Sequence, residues 1–414
     1  MNNNLRLQLS SMMFLEYFIW GAWYITMGNY LGSTLNFTAP QIGISYTAVS
    51  IAAMISPIFV GMVADRYLPT QRILGILHLI GGLLLLFTSY ILEFGLFYPV
   101  FIGYMLCYMP TIALTNSLSF HHMENPGVQF PGVRVVGTIG FIAAMNVVSF
   151  MGLEAHSAQF QIAAACSVAL GIYSFFLPHT PPKQKGEQVT INDVLGLDAL
   201  KLMKKRSFAV LVISSILISV PLAFYYSFAN PFLNDIGMER ALAKMSLGQV
   251  FEIIFLIIMP FFFVRLGVKK MIMVAMAAWA LRYVLFAYGN NEELVWMLYG
   301  GIVLHGICYD FFFVTGQIYV DEAAPVQLKS AAQGLITFAT YGVGMFIGSW
   351  LSGEIVGIFT DTGPAGEPQH HWQQIWLVPA IASAVVLVIF TLTFRDERKP
   401  KKEPLIEDKG VPVH

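Results

Sequence analysis

Four charged residues interrupt segments of the sequence that are otherwise long and apolar enough to cross a lipid bilayer. Three are the acids Glu16, Glu252 and Asp310, and the fourth is Arg134. A charge at the centre of the hydrocarbon layer costs at least ~2.5 kcal/mol, so such residues are kept where they line a polar cavity, pair with an opposite charge or carry a proton. These residues therefore predict a transporter.

The balance of these charges indicates the chemistry they would perform. If all three acids were ionised, one arginine would leave two negative charges uncompensated in the bilayer. Burial favours the neutral carboxyl group and a nearby arginine favours the ionised one, so at least one acid should exchange a proton near physiological pH. We predict Asp310 as the first candidate carrier, Glu252 as the second and Glu16 as the third, with Arg134 exchanging partners or holding substrate.

The composition predicts the elements that must position these side chains. The 414 residues are 57% hydrophobic and only 11% charged, and the mean hydropathy is +0.67. Soluble domains carry about 25% charged residues, so the chain is expected to be a polytopic membrane protein. Segments of about twenty apolar residues, the length of a helix that crosses a ~30 Å hydrocarbon core, recur along it. We predict an all-α protein of twelve transmembrane helices.

The predicted spans, numbered 1 to 12 in chain order, are centred on Tyr17–Tyr30, Ala48–Val63, Ile73–Ile91, Val100–Leu118, Val135–Phe150, Ile162–Phe176, Ala209–Phe224, Val250–Phe263, Met271–Ala287, Met297–Phe313, Gly334–Leu351 and Ile375–Leu392. Span 1 is too long for a signal peptide and lacks a small-residue cleavage site, so it should remain in the mature protein.

The basic residues predict the orientation of these spans. Nearly all of the 23 Lys and Arg residues fall in tails and loops on one side of the predicted membrane. Only Arg240 and Lys244 fall in loops on the other side, while Arg134 and Arg282 lie within or at the ends of spans. The positive-inside rule then predicts a multi-pass protein of the cytoplasmic (inner) membrane with both termini in the cytoplasm. The three cysteines lie in spans, so no disulfide framework is expected.

A polar segment divides the chain into two halves. Residues 179–207 contain Pro181, Pro182 and a basic cluster, as expected of a cytoplasmic linker. We predict an N-terminal six-helix bundle over 1–178, a C-terminal one over 208–394 and a cytoplasmic tail over 395–414. Paired halves favour alternating access about a site near the midplane of the membrane.

The loop after span 2 contains Gly61, Asp65 and Arg66, followed by Arg72. A small residue allows close helix approach, and an acid and a base at a helix end can pair in one conformational state and separate in another. This element resembles the loop signature of the major facilitator superfamily, which implies a fold of two pseudo-symmetric six-helix bundles. We predict that these four residues take part in a cytoplasmic gate.

Several further motifs resemble the nucleoside:proton symporter family of that superfamily. The motifs are Phe18–Trp23, Tyr108–Asn116, Phe130–Phe141, Ala278–Tyr283 and Tyr309–Phe312. The resemblance runs from span 1 to span 12, and the span 5 motif is its most specific part. The resemblance implies inward transport of purine and pyrimidine nucleosides with protons. It implies no enzyme activity, no cofactor, no metal and no nucleic-acid partner, and the protein is expected to be a monomer.

The resemblance also implies which residues bind substrate: Arg134, Thr138, Phe141, Gln249, Glu252, Tyr309 and Asp310. Helical spacing puts the three span 5 residues on one face and the two span 8 residues on another, independently of the family. An aromatic ring suits a base, and charged or amide groups suit sugar hydroxyls and base edges. In span 7 the chain has Ala223 and Tyr226 where amide-bearing contacts are expected, and Tyr226 is predicted to stack on the substrate instead. His305 stands at a family tyrosine position, so the preferred base stays open.

Each of these residues also has a purely structural interpretation. Arg134 could extend into lipid headgroups, Phe141 and Tyr309 could be packing aromatics, and Glu16 could bond to a neighbouring helix. We favour His305 as a satisfied core histidine and expect Arg282 and Glu354 to face water or headgroups.

Two other functions remain open at this point: a proton-linked sugar carrier, because sugar sites also combine aromatic rings with acids and amides, and a sensor that does not transport. A membrane enzyme is disfavoured because the sequence lacks a Walker loop, an H-E-x-x-H pair and a C-x-x-C site.

Overall fold

The computed structural model describes residues 2–59, 68–182, 197–364 and 366–396. Within them the first half of the chain is helical, as lipid requires of a backbone that must satisfy its own hydrogen bonds. Its main helices are α1 Asn3–Gly21, α2 Ala39–Phe59, α3 Thr70–Thr88, α4 Phe94–His121, α5 Pro126–Phe150 and α6 Ala158–Ser174. Between α1 and α2 lie a helical turn, Met27–Asn29, and a π-helical segment, Tyr30–Thr34.

The second half begins with a short 3₁₀ helix, Leu197–Lys204. Its main helices are α7 Arg206–Asp235, α8 Ala241–Tyr288, α9 Val295–Tyr309, α10 Thr315–Ala323, α11 Lys329–Thr337, α12 Met345–Ile358 and α13 Trp372–Thr393. A 3₁₀ turn, Val326–Leu328, precedes α11. A small antiparallel hairpin, β1 Thr360–Thr362 with β2 Pro368–His370, lies between α12 and α13.

The helices agree with the predicted membrane spans. Among the described residues, eight helical segments are long and apolar enough to cross a bilayer. One of them, α8, contains predicted spans 8 and 9, and the other seven contain one predicted span each. Predicted span 6 falls on the shorter apolar helix α6, and span 2 falls on α2 as far as the described residues extend. Predicted span 1 begins in α1 and continues beyond Gly21 through the turn Met27–Asn29. Large apolar side chains such as Ile257, Val264 and Leu392 are mostly exposed, as expected of surfaces that face lipid.

Three long segments are not regular helices. Gly267, with φ 66° and ψ 174°, breaks α8 into two parts. A π-helical segment, Asp310–Val314, joins α9 to α10, and another, Phe338–Gly344, joins α11 to α12. Such segments often occur at functional sites. Here one of them begins at Asp310, the first predicted proton carrier.

Helices α1 and α5 cross at very close range. A Cβ added to Gly140 would lie 2.3 Å from the Phe14 carbonyl oxygen, and one added to Gly21 would lie 2.5 Å from the Phe141 carbonyl oxygen. Only glycine allows backbones to approach this closely. The crossing brings Tyr17 of α1 beside the predicted substrate residues of α5.

Part of the predicted gate and linker lies outside the described residues. This applies to Gly61, Asp65 and Arg66, to 183–196 of the linker and to the tail beyond residue 396. Arg72, the fourth gate residue, is exposed in the first turn of α3. The gate remains a prediction.

Candidate functional site

A cavity of about 460 Å³ lies between helices of the two halves of the chain. This volume falls within the range of small-molecule sites. Its lining is aromatic and polar: Tyr17, Trp20, Tyr24, Tyr46, Val49, Ser50, Ala53, Ser56, Met109, Ile112, Ala113, Asn116, Arg134, Thr138, Phe141, Tyr226, Gln249, Glu252, Tyr309, Thr337, Tyr341 and Met345. All of the predicted substrate residues line it except Asp310.

The α5 side of the cavity carries Arg134, Thr138 and Phe141 on one helical face. The guanidinium carbon of Arg134 lies 4.0 Å from the centre of the Tyr17 ring. No carboxylate of the described residues forms an ion pair with this guanidinium. Arg134 therefore faces the cavity rather than the headgroups, and its hydrogen-bond donors are available to a polar ligand.

The opposite side is formed by α7, α8, α9 and the π-helical segment Phe338–Gly344. Gln249 and Glu252 come from α8, and Tyr309 from α9 forms a short hydrogen bond with Tyr341. Tyr226 of α7 contacts Tyr24 from the other half, with ring centres 5.1 Å apart. The cavity thus presents aromatic faces from both halves and one acid, Glu252, opposite Arg134.

Asp310 lies behind this wall rather than in it. Asp310 is 2% exposed, and its Oδ2 has no hydrogen-bond partner among the described residues. An ionised carboxylate without donors is costly in a buried site, whereas a protonated one is tolerated. The surroundings of Asp310 therefore favour a carboxyl group that holds a proton in this conformation.

Glu16 is completely buried and does not line the cavity. Its Oε2 lies 2.9 Å from His78 Nε2, and its Oε1 accepts a hydrogen bond of 2.7 Å from Thr111. The bond to a neighbouring helix, one of the two interpretations of Glu16 from the sequence, is therefore present. Sequence reasoning missed His78, although a histidine within apolar α3 was a visible signal.

Comparisons with known proteins identify the family. A family model described as "Nucleoside H+ symporter" matches residues 1–399. The chain belongs to the nucleoside H+ symporter family. The resemblance inferred from the motifs is thereby confirmed, and the protein is a transporter of the major facilitator fold and not an enzyme.

Two transport proteins of Escherichia coli are similar to nearly the whole chain. "Putative nucleoside transporter YegT" of Escherichia coli K12 is 39% identical over 414 residues, which cover 98% of this chain and 97% of that protein. Xanthosine permease of the same organism is 34% identical over 96% of this chain and 98% of its own length.

Solved structures agree with the fold. The crystal structure of the nucleoside transporter NupG matches with a TM-score of 0.87 and 32% identity, over 94% of this chain and 99% of that one. A bacterial homologue of the lysosomal transporter Spinster matches with a TM-score of 0.73 at 13% identity, over 94% of this chain and 96% of that one. The second match shows the fold alone.

One expectation about this symporter-family chain is wrong. Arg282 does not face water or headgroups but is 0% exposed inside the second part of α8. Its guanidinium carbon lies 3.5 Å from the centre of the Tyr225 ring, and its Nη1 lies 3.1 Å from His305 Nδ1. Planar stacking and one nitrogen acceptor allow an arginine to be buried in this way. His305 is 1% exposed, as expected of a core histidine, but it is not fully satisfied, because its Nε2 has no hydrogen-bond partner among the described residues.

A second missed residue closes the face that the sequence predicts to be external. Glu154, between α5 and α6, is buried, and its Oε2 accepts hydrogen bonds of 3.0 and 3.1 Å from Asn230 and Asn234 of α7. Its Oε1 accepts one of 3.0 Å from the Leu242 amide of α8 and a short one from Ser149. We call this group the Glu154 clasp. It joins the two halves of the symporter on one side of the cavity.

Proposed function

We propose that this protein takes up nucleosides together with protons across the cytoplasmic membrane by alternating access. The observation that carries the proposal is the cavity, because it combines aromatic rings with Arg134, Gln249 and Glu252 between the two halves of the chain. A nucleoside requires such a combination. Its base stacks on an aromatic ring, and its hydroxyls and base edge need charged or amide partners.

The arrangement of the halves supports alternating access. The lining extends through Ser56, Asn116, Arg134 and Thr337 toward helix ends that the sequence predicts to be cytoplasmic. The Glu154 clasp joins the halves near the opposite ends. We infer that bundles 1–178 and 208–394 rock about the cavity, so that the clasp opens when the cytoplasmic side closes.

Two acids support coupling to protons. Glu252 is exposed to the cavity, whereas Asp310 is buried behind it without a hydrogen-bond donor to Oδ2. Because one acid is open to the cavity and the other is buried behind it, the two acids are suited to divide the coupling between substrate contact and proton storage. By linkage, protonation then favours substrate binding to the same extent as substrate favours protonation.

Uptake of radiolabelled nucleosides and sugars in cells that lack their own carriers tests the proposal. We expect nucleosides to accumulate above the external concentration, and a proton uncoupler to reduce this accumulation to equilibration. Accumulation of sugars without nucleosides would instead favour a sugar carrier, whose site would use the same rings and acids. Absence of uptake for both, in protein that reaches the membrane, would favour a sensor.

Phe141→Ala is expected to weaken nucleoside binding by about 5- to 100-fold, because stacking of a base on an aromatic ring contributes about 1–3 kcal/mol. Gln249→Ala should weaken it less, since one neutral hydrogen bond contributes about 1 kcal/mol. Calorimetry on purified protein measures both. The matched control is Ile139→Ala on α5, where the side chain is 50% exposed and does not line the cavity. Equal affinity in Phe141→Ala and Ile139→Ala would make Phe141 a packing residue.

A further inference from the structure

Arg282 is a buried cation that lies close to the cavity but does not line it. Its Nε and Nη2 have no hydrogen-bond partner among the described residues, and no carboxylate among them lies within ion-pair distance. Its Nη1 lies 3.1 Å from His305 Nδ1, at hydrogen-bond distance. A charge buried within a membrane-spanning helix costs free energy and is usually kept for a functional reason. We therefore consider what Arg282 does to the groups around it.

The contact with Arg282 determines the protonation of His305. A guanidinium can only donate hydrogen bonds, so His305 Nδ1 must accept one. The imidazole is therefore neutral, and its hydrogen is on Nε2. The ring is held in this orientation by Tyr225, which stacks on it with a centroid distance of 5.0 Å and an interplanar angle of 25°. His305 thus presents a single N–H in a fixed direction.

That direction leads to Glu252. His305 Nε2 lies 3.8 Å from Glu252 Oε2 and has no hydrogen-bond partner among the described residues. The spacing is set by the backbones, because a Cβ added to Gly306 would lie 2.7 Å from Glu252 Cα. A shift of less than one ångström by the Glu252 side chain would complete a hydrogen bond.

We propose that His305 is a positioning residue that acts through Glu252. The Arg282–His305 pair directs one N–H at the Glu252 carboxylate and so sets the pH at which Glu252 exchanges its proton during transport. This inference rests on the proposed function. Glu252 takes and releases its proton through the cavity, while His305 keeps its Nε2 hydrogen throughout. Ionised Glu252 accepts a charge-assisted hydrogen bond from His305 Nε2–H, and this bond is weakened when Glu252 is protonated.

Other groups that interact electrostatically with Glu252 set the background for this effect. They are Arg134 from α5, Asp310 at the start of the π-helical segment Asp310–Val314, and the tyrosines Tyr225, Tyr226, Tyr309 and Tyr341. Arg134 favours ionised Glu252, and an ionised Asp310 would oppose it. Three of the tyrosines also contact the His305 ring, so both variants at His305 change their packing, and only a difference in pH dependence between the two variants is assigned to the N–H that faces Glu252.

Two replacements of nearly equal size separate the two contacts of His305. The amide of His305→Gln reaches the Nε2 position and keeps an N–H for Glu252, whereas the shorter amide of His305→Asn reaches only the Nδ1 position, beside Arg282. The test is to measure the binding of uridine and adenosine as a function of pH. Without the donor, ionised Glu252 is less stable and holds its proton to higher pH. The pH midpoint of binding should rise by about one unit in His305→Asn, a tenfold change in proton affinity, and stay near the parent value in His305→Gln.

The Glu252→Gln background provides the control. There the acid cannot titrate, so adding His305→Asn should leave the pH profile unchanged. If both single variants shift the midpoint equally, or neither does while binding weakens equally, His305 is a packing residue and the inference is wrong. If the parent protein binds neither nucleoside, the proposed function fails first.

A measurement on the unmodified protein tests the inference without variants. With ¹⁵N-labelled histidine, the His305 signal should show the Nε2–H tautomer from about pH 5 to pH 8, where a free histidine would become charged. The Nε2–H signal should move as Glu252 titrates and stay constant in Glu252→Gln. An imidazolium or an Nδ1–H tautomer in this range would overturn the proposal.

Discussion

Asp310→Asn is expected to abolish accumulation of nucleoside against its gradient while exchange and binding persist. The substitution removes the charge change that ties substrate movement to the proton gradient. It leaves the cavity intact, because Asp310 does not line it. Counterflow and uphill uptake in proteoliposomes measure the two activities separately. The pH dependence of binding should also flatten.

Asp310→Asn should also fold well. Removing one partner of a buried ion pair would cost about 3–5 kcal/mol. No basic side chain of the described residues forms an ion pair with Asp310, and its Oδ2 has no hydrogen-bond partner among them. Thermal stability close to that of the parent protein is therefore expected. A well-folded Asp310→Asn protein that still concentrates nucleoside would exclude Asp310 as the proton carrier and leave Glu252 as the candidate.

Arg134→Gln is expected to lower nucleoside affinity by about 10- to 100-fold. Hydrogen bonds from a charged donor contribute about 1.5–3 kcal/mol, and Arg134 is the basic residue in the cavity lining. The loss should appear in calorimetry for nucleosides with different bases if the guanidinium binds the sugar, and for one class of base if it reads a base edge. This comparison also bears on the base preference that the sequence leaves open.

Arg134→Lys separates the charge of Arg134 from its shape. Lysine keeps the positive charge opposite Glu252 but loses the planar fork and the stacking on Tyr17, where the guanidinium lies 4.0 Å from the ring centre. If the fork binds substrate, Arg134→Lys should bind as weakly as Arg134→Gln but keep the parent pH profile. Full affinity in Arg134→Gln would return Arg134 to a packing role on Tyr17.

The sequence predicted the helices and most of the cavity because both follow from periodic patterns. Apolar segments of membrane length predicted the spans, and helical spacing put Arg134, Thr138 and Phe141 on one face of α5. The resemblance to the symporter family supplied Gln249, Glu252 and Tyr309, which lie on the opposite side of the same cavity. The substrate and coupling roles of these residues remain predictions.

The remaining features depend on contacts between distant helices, which a single sequence does not specify. Arg282 was expected at a surface because its position near a span end was visible in the sequence, whereas its contact with His305 was not. Glu16 could equally have faced the cavity until His78 of α3 was found 2.9 Å away. Glu154 was missed because a loop acid is normally solvated, and only the approach of α7 and α8 buries it.

Substitutions in the Glu154 clasp could change the balance between access states without changing a residue of the cavity lining. One acid collects hydrogen bonds from α5, α7 and α8, yet it lies outside the cavity lining. If the two halves rock as proposed, the preference for one access state depends on a side chain that does not line the cavity. Weakening it provides a way to trap the opposite state for structural work. On the same proposal, an inhibitor added from outside binds only after the clasp opens, so the onset of inhibition would report the opening rate.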